Sequence, residues 1–93
     1  MAKPIALDPT VLQRLRCLDK NDRAAALTAL CNLADGFGQP HAHAGLGVRK
    51  LGERLYECRV GLSLRLVFQD RSDVLFVAFA GTHDEVQRLL RRR

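Results

Sequence analysis

The chain has 93 residues, enough for one domain around a single core and too few for a separate cofactor-binding domain, so residues 1 to 93 read as one unit. Its 15 Lys and Arg outnumber 10 Asp and Glu, giving a net charge of +5 and a pI near 9.7; the excess fits a polyanionic partner or a merely soluble basic surface. With 47% hydrophobic residues the chain is expected to fold, and without an apolar run of about 18 residues or a signal-peptide pattern it is expected in the cytoplasm, with no membrane partner.

Taken in order, residues 3 to 7 offer a weak edge strand, weakened further by Pro4. Asp8 before Pro9 is a helix start, a side-chain cap followed by proline at the first helical position. Val11, Leu12, Leu15 and Leu18 mark its apolar stripe. A second helix restarts at Asp19 or Asn21, with Leu27, Leu30, Cys31 and Ala34 on one face and Gly36 as a left-handed cap. The loop from Phe37 to Gly47 holds His41 and His43. A His-x-His pair can bind metal, but no third ligand lies nearby, so no metal and no cofactor are expected. Cys17, Cys31 and Cys58 are odd in number and lack ligand spacing, and read as small core residues in a reducing compartment.

Val48 to Leu51 begins a strand carrying Arg49 and Lys50, which are nucleic-acid contacts or ordinary edge charges. From Leu55 to Phe79 period-2 alternation bounded by turn residues predicts further strands. A three-residue loop at Gly61-Leu62-Ser63 makes Val60 oppose Leu64 and Arg59 oppose Arg65. Tyr56, Cys58, Val60, Leu64, Leu66 and Phe68 then share a core face. Glu57, Arg59, Arg65 and Gln69 share the other, with Val67 among them. Opposed like charges destabilise a hairpin, so this pair calls for an anion unless Glu57 serves as counterion.

Gly81-Thr82-His83-Asp84-Glu85 ends the last strand. Thr82 with Glu85 spells a capping box, placing a partly buried His83 at the first position of a C-terminal helix, where an anion is also welcome. Val86, Leu89 and Leu90 form its packing face, and Arg88 with Arg91 to Arg93 its basic end. Together these elements predict an α+β domain. Two N-terminal helices pack on one face of a twisted, mainly antiparallel sheet of about four strands, and a short C-terminal helix follows.

Arg49-Lys50-Leu51-Gly52, Leu55-Tyr56-Glu57-Cys58-Arg59-Val60, Leu64-Arg65-Leu66-Val67-Phe68 and Gly81-Thr82-His83-Asp84-Glu85, in that order, resemble the RelE/ParE toxin superfamily over residues 40 to 90. The resemblance implies a RelE-like fold and a toxin neutralised by a cognate antitoxin. Many such toxins cleave mRNA on the ribosome, so mRNA, ribosome and antitoxin are the expected partners. It implies catalytic roles for Arg65, matching an arginine of the family's sheet, and for Arg59, at a basic position before it. His83 matches the histidine of a Gly-Thr-His motif in YafQ-like members, and His43 a histidine in the preceding loop. Glu57 stands where RelE has a lysine; with Arg49, Lys50 and Gln69 it completes the expected substrate-binding set. Without a metal, such an enzyme cleaves RNA through its own 2′-hydroxyl, which attacks the adjacent phosphorus while acid and base shift two protons. The alternatives are a ParE-like toxin that grips gyrase or another protein and cuts nothing, and an inactive solitary relative.

Overall fold

The computed structural model describes residues 3 to 38 and 47 to 92, so the expectations for His41 and His43 fall outside the described residues. The elements run β1 (Ile5–Leu7), α1 (Pro9–Cys17), α2 (Lys20–Gly36), β2 (Val48–Gly52), β3 (Leu55–Val60), β4 (Leu64–Asp70), β5 (Leu75–Thr82) and α3 (His83–Arg91). The class is α+β as expected, but the sheet has five strands rather than about four, ordered β1-β5-β4-β3-β2. β1 pairs parallel to β5, with Ile5 opposite Leu75 and Leu7 opposite Val77, and the remaining pairs are antiparallel. Pro4 does not prevent this. It precedes an edge strand, where a missing N–H costs no ladder bond, and its carbonyl accepts from Leu75 N–H at 2.9 Å.

The helix starts follow the cap chemistry. Asp8 accepts from Thr10 N–H ahead of α1, and Asp19 accepts from Asp22 N–H ahead of α2. Each such cap is worth about 1 kcal/mol. The packing face of α2 differs from the expected stripe: Ala26, Leu30 and Leu33 are buried, while Leu27 is half exposed and Cys31 exposed. An alanine-rich helix carries apolar residues nearly all round, and the sheet beneath it decides which of them is covered. Gly36 is the last helical residue, not a left-handed cap; the positive φ falls at Gly38.

The main core lies between α1, α2 and one face of the sheet. Val11, Leu15, Ala26, Leu30 and Leu33 meet Cys58, Val60, Leu64, Leu66, Phe68, Leu75, Val77 and Ala80 there. Phe68 is fully buried, stacked on Tyr56 with ring centroids 5.6 Å apart and capped edge-on by Phe37. Opposite Val67 and Phe68 of β4 the register of β5 shifts, so Val67 pairs with Phe79 and Phe68 with Val77, leaving Ala78 as the extra residue. That bulge turns Leu75, Val77 and Ala80 to one face and Phe79 to the other.

The third helix does not join the other two. Val86 and Leu90 of α3 pack on Leu55, Val67, Leu51 and Phe79, the opposite face of the sheet. The domain is therefore layered helix, sheet, helix, with α3 covering β5 and β4 and leaving β3 and β2 open at one end. Val67, an aliphatic residue in the middle of the hairpin's polar face, is 2% exposed because α3 sits on it. Cys58 is buried as expected, but Cys17 and Cys31 are surface residues.

Candidate nucleic-acid interface

The hairpin forms in the expected register. Gly61 takes a left-handed φ of 63°, which a glycine adopts freely, and the loop joins Val60 to Leu64 and sets Arg59 opposite Arg65. Directly paired strand residues lie about 5 Å apart. The neighbours of this pair are glycines: Arg59 N–H donates to the Gly47 carbonyl at 3.1 Å, and Arg65 pairs with Gly81 on β5. The row Gly47, Arg59, Arg65, Gly81 therefore carries two guanidiniums across four chain segments with no side chain on either flank. Arg59 is exposed and Arg65 half-buried, and neither has a carboxylate partner among the described residues. Among the described residues, the side chain of Arg65 makes one bond, a long contact of 3.5 Å to the carbonyl of Leu64.

The next row holds Arg49 and Glu57, paired across β2 and β3. Glu57 is 6% exposed, and its Oε1 accepts from Arg49 at 3.0 Å. Its Oε2 is buried and has no hydrogen-bond partner among the described residues. Three arginines thus share this face with one carboxylate, which Arg49 contacts, and the excess of positive charge makes a floor suited to phosphate.

α3 supplies the wall. Thr82 accepts from Glu85 N–H, and the Glu85 carboxylate accepts from Thr82 N–H at 2.8 Å, closing the capping box read from the sequence. Arg14 of α1 holds the same carboxylate at 2.9 Å. Those donors keep the Glu85 carboxyl well below the ordinary value of 4.5, at about 2. Glu85, Leu89 and Arg92 line the flank of α3 next to Phe79 of β5. At 100° per residue, with Val86 and Leu90 on the sheet, His83, Gln87 and Arg91 turn to the opposite flank, toward β4 and β3. His83 opens the helix as expected, two residues after the glycine opposite Arg65. Its ring is exposed, however, and not partly buried.

Two of the expected substrate residues are not brought to this place. Lys50 pairs with Tyr56, whose ring packs on the main core, so strand parity sends Lys50 to the other face. Gln69 lies on the correct face but four residues along β4 from Arg65, roughly 13 Å away, and its side-chain oxygen accepts from Arg71. Helical spacing could have found Gln87 and Arg91, since both follow His83 at intervals of four. Thr28 and Asn32 of α2 were not legible; they share a cleft of about 200 Å³ with Arg59, Val60 and Gly61. Among the described residues no group of His, Cys, Asp and Glu could hold a metal, and no helix is long and apolar enough to cross a membrane.

A five-stranded sheet of this order, with two helices on one face and a short C-terminal helix on the other, is the RelE-like toxin fold. A mutant of the E. coli toxin RelE in the free state matches with a TM-score of 0.70 at 22% identity, over 99% of this chain and 98% of that one. RelE in the archaeal RelE-RelB complex from Pyrococcus horikoshii matches with a TM-score of 0.71 at 19% identity, over 88% and 96%. The E. coli DinJ-YafQ toxin-antitoxin complex gives a TM-score of 0.56 at 17% identity, over 92% and 98%. No family model matches the sequence, and no curated protein does either.

Proposed function

We propose that this chain is the toxin of a toxin-antitoxin pair and acts in the cytoplasm as a metal-independent endoribonuclease on mRNA, with the ribosome presenting the substrate. The observation that carries the reading is the directly opposed, carboxylate-free pair Arg59 and Arg65 beside a helix that opens with His83. Two cations on residues directly opposed across a strand pair repel each other in the free protein and gain most from an anion whose charge increases during reaction. In-line attack of a 2′-oxygen on phosphorus is such a case. The 2′-oxygen forms the new P–O bond as its proton leaves, the 5′-oxygen departs with a proton, and the product is a 2′,3′-cyclic phosphate. Arg59 and Arg65 hold the non-bridging oxygens and His83 serves one of the two proton transfers. Arg49 adds a further phosphate contact. The solved relatives that carry antitoxins, RelE with RelB and YafQ with DinJ, support an antitoxin partner here.

Induced expression in a bacterial host tests the reading. The wild type is expected to arrest growth with cleavage of mRNA, and Arg65→Ala is expected to lose about a hundredfold or more in rate and with it the arrest. Arrest that persists in both Arg65→Ala and His83→Ala, with mRNA intact, would move a protein target such as gyrase to the front.

A further inference from the structure

Gln69 shares the face of Arg59 and Arg65 but not their site, and its side-chain partner is Arg71. Arg71 opens the turn from β4 to β5, and its guanidinium carbon lies over the Phe76 ring, 4.1 Å from the centroid. Phe76 pairs with Gln69 across the two strands, so ring and amide stand side by side on one face. Gln69 Oε1 accepts from Arg71 Nε at 3.0 Å, which pins the guanidinium in place. That N–H can only donate, so the amide oxygen turns to it and the amide NH2 is left as a donor. The turn closes without this side chain. Arg71 N–H donates to the Val74 carbonyl at 2.9 Å, and the Asp70 carboxylate accepts from Ser72 N–H at 3.2 Å. Arg54 of the neighbouring turn donates to Ser72 Oγ at 2.9 Å, fastening a serine whose φ of 67° is uncommon for that residue.

A planar cation laid on an aromatic ring is half of a stack. Unpaired bases of RNA are recognised by stacking on such guanidinium planes, and every base has a π face to offer. Arg71 is exposed, and no described carboxylate pairs with it. Beside it opens a cleft of about 380 Å³, lined also by Glu53, Arg54, Leu55, Gln69 and Asp70. The charges of these two turns balance. Arg54 and Arg71 are matched by Glu53 and Asp73, and Lys3 pairs with Asp70 at 2.6 Å. A balanced patch does not concentrate phosphate, so it suits a base rather than the backbone. The Gln69 NH2 and the Glu53 carboxylate add a donor and an acceptor for the edge of that base. α3 packs on Val67, which lies between Arg65 and Gln69 on β4, and so divides this cleft from the arginine pair.

We infer that Arg71, laid on Phe76 and pinned by Gln69, is a stacking platform for an unpaired base of single-stranded RNA, outside the nucleotides that are cut. The platform lies beyond the proposed phosphate site and does not depend on it. A base held there anchors the RNA without touching the reacting atoms, so Arg71 contributes to binding and not to the chemical step.

The test titrates the full chain with 2′-O-methyl pentaadenylate, which has no free 2′-hydroxyl and so cannot be cut, and with an abasic pentamer of the same phosphate count. Affinity is read by NMR at the Phe76 ring protons. The adenylate is expected to shift them and to bind there at least about tenfold tighter than the abasic strand, the ordinary worth of one stacked base. Added salt should weaken that preference little, because the two strands carry equal charge. Arg71→Lys keeps the charge and loses the plane, and is expected to bind the adenylate about tenfold more weakly at this place. Arg65→Ala is expected to leave the Phe76 response intact, and a response that survives although no anion binds at Arg59 and Arg65 would remove the phosphate site and keep the platform. An unmoved Phe76 ring, an abasic strand that binds equally well, or Arg71→Lys as tight as wild type overturns the inference and leaves the phosphate site standing. A stronger response at Phe76 to decaglutamate than to the adenylate also overturns it, in favour of an acidic protein partner.

Discussion

Arg59 and Arg65 stand directly opposite each other on β3 and β4, flanked by Gly47 and Gly81, and no described carboxylate pairs with either. Opposed like charges cost the sheet roughly 0.2–1 kcal/mol. Arg59→Gln is therefore expected to raise the stability of the free protein by that amount at low salt while lowering activity about a hundredfold. Urea unfolding with and without inorganic phosphate reads the trade directly. Phosphate should stabilise the wild type more than the variant, and equal stabilisation would mean that the pair is not the anion site.

The capping box couples stability to acid. Glu85 has its pKa lowered from 4.5 to about 2, first by the Thr82 N–H and then by Arg14. A depressed carboxylate stabilises the fold above its unfolded value, and that stability is lost as pH falls from about 4.5 toward 2, where the unfolded chain binds the proton first. Asp70, lowered chiefly by its bond from Lys3 at 2.6 Å, acts with the same sign. Glu85→Gln should be less stable than wild type at neutral pH and show a flatter decline in acid. Thermal unfolding at a series of pH values checks both, and parallel curves would refute the assignment.

Cysteine reactivity should divide by burial. Cys17 and Cys31 are exposed, whereas Cys58 is buried among core side chains; burial, then the charge of Glu57, pushes its thiol up to about 11. A thiol-specific reagent at neutral pH is expected to modify two cysteines readily and the third only on unfolding. Because the folded thiol keeps its proton while an unfolded one loses it, the fold should also lose stability as pH rises from about 9 toward 11.

Gly81 has no room for a side chain. A Cβ there would stand 2.8 Å from Phe79 Cε2, 3.0 Å from Glu85 Oε1 and 3.1 Å from Glu85 Cβ. Gly81→Ala must displace Glu85, opening the capping box and loosening Arg14, at a cost of about 1–3 kcal/mol. Since His83 begins the same helix, activity is expected to fall more than the loss of stability explains. An Ala variant as active and as stable as wild type would show that the start of α3 is not held as described.

The hairpin was legible because its signals are local. Loop length fixed the register, the register put Arg59 opposite Arg65, and parity separated the core face from the charged one. Thr82 and Glu85 announced the start of α3 for the same reason. Lys50 could have been placed the same way: it follows Arg49 on one strand, so parity puts only one of the two beside Glu57, and that one is Arg49. The rest of what failed depended on distant partners. β1 could not be counted as part of the sheet from Ile5 to Leu7 alone, since its partner Leu75 is seventy residues away. The bulge at Ala78 leaves no mark in a run that is apolar on both sides. Val67 was the missed clue: a buried aliphatic among Glu57, Arg59, Arg65 and Gln69 signals a cover on that face, and α3 is the cover.

The chemistry of the ends decides the central claim. Purified wild-type protein should be incubated with translating ribosomes and a defined mRNA, with calcium and transition metals removed, and the new termini identified. Attack by the 2′-hydroxyl at the Arg59–Arg65 site predicts 2′,3′-cyclic phosphate and 5′-hydroxyl ends, lost in Arg65→Ala. Ends carrying 5′-phosphate and 3′-hydroxyl, or the same cyclic ends produced undiminished by Arg65→Ala, would contradict it.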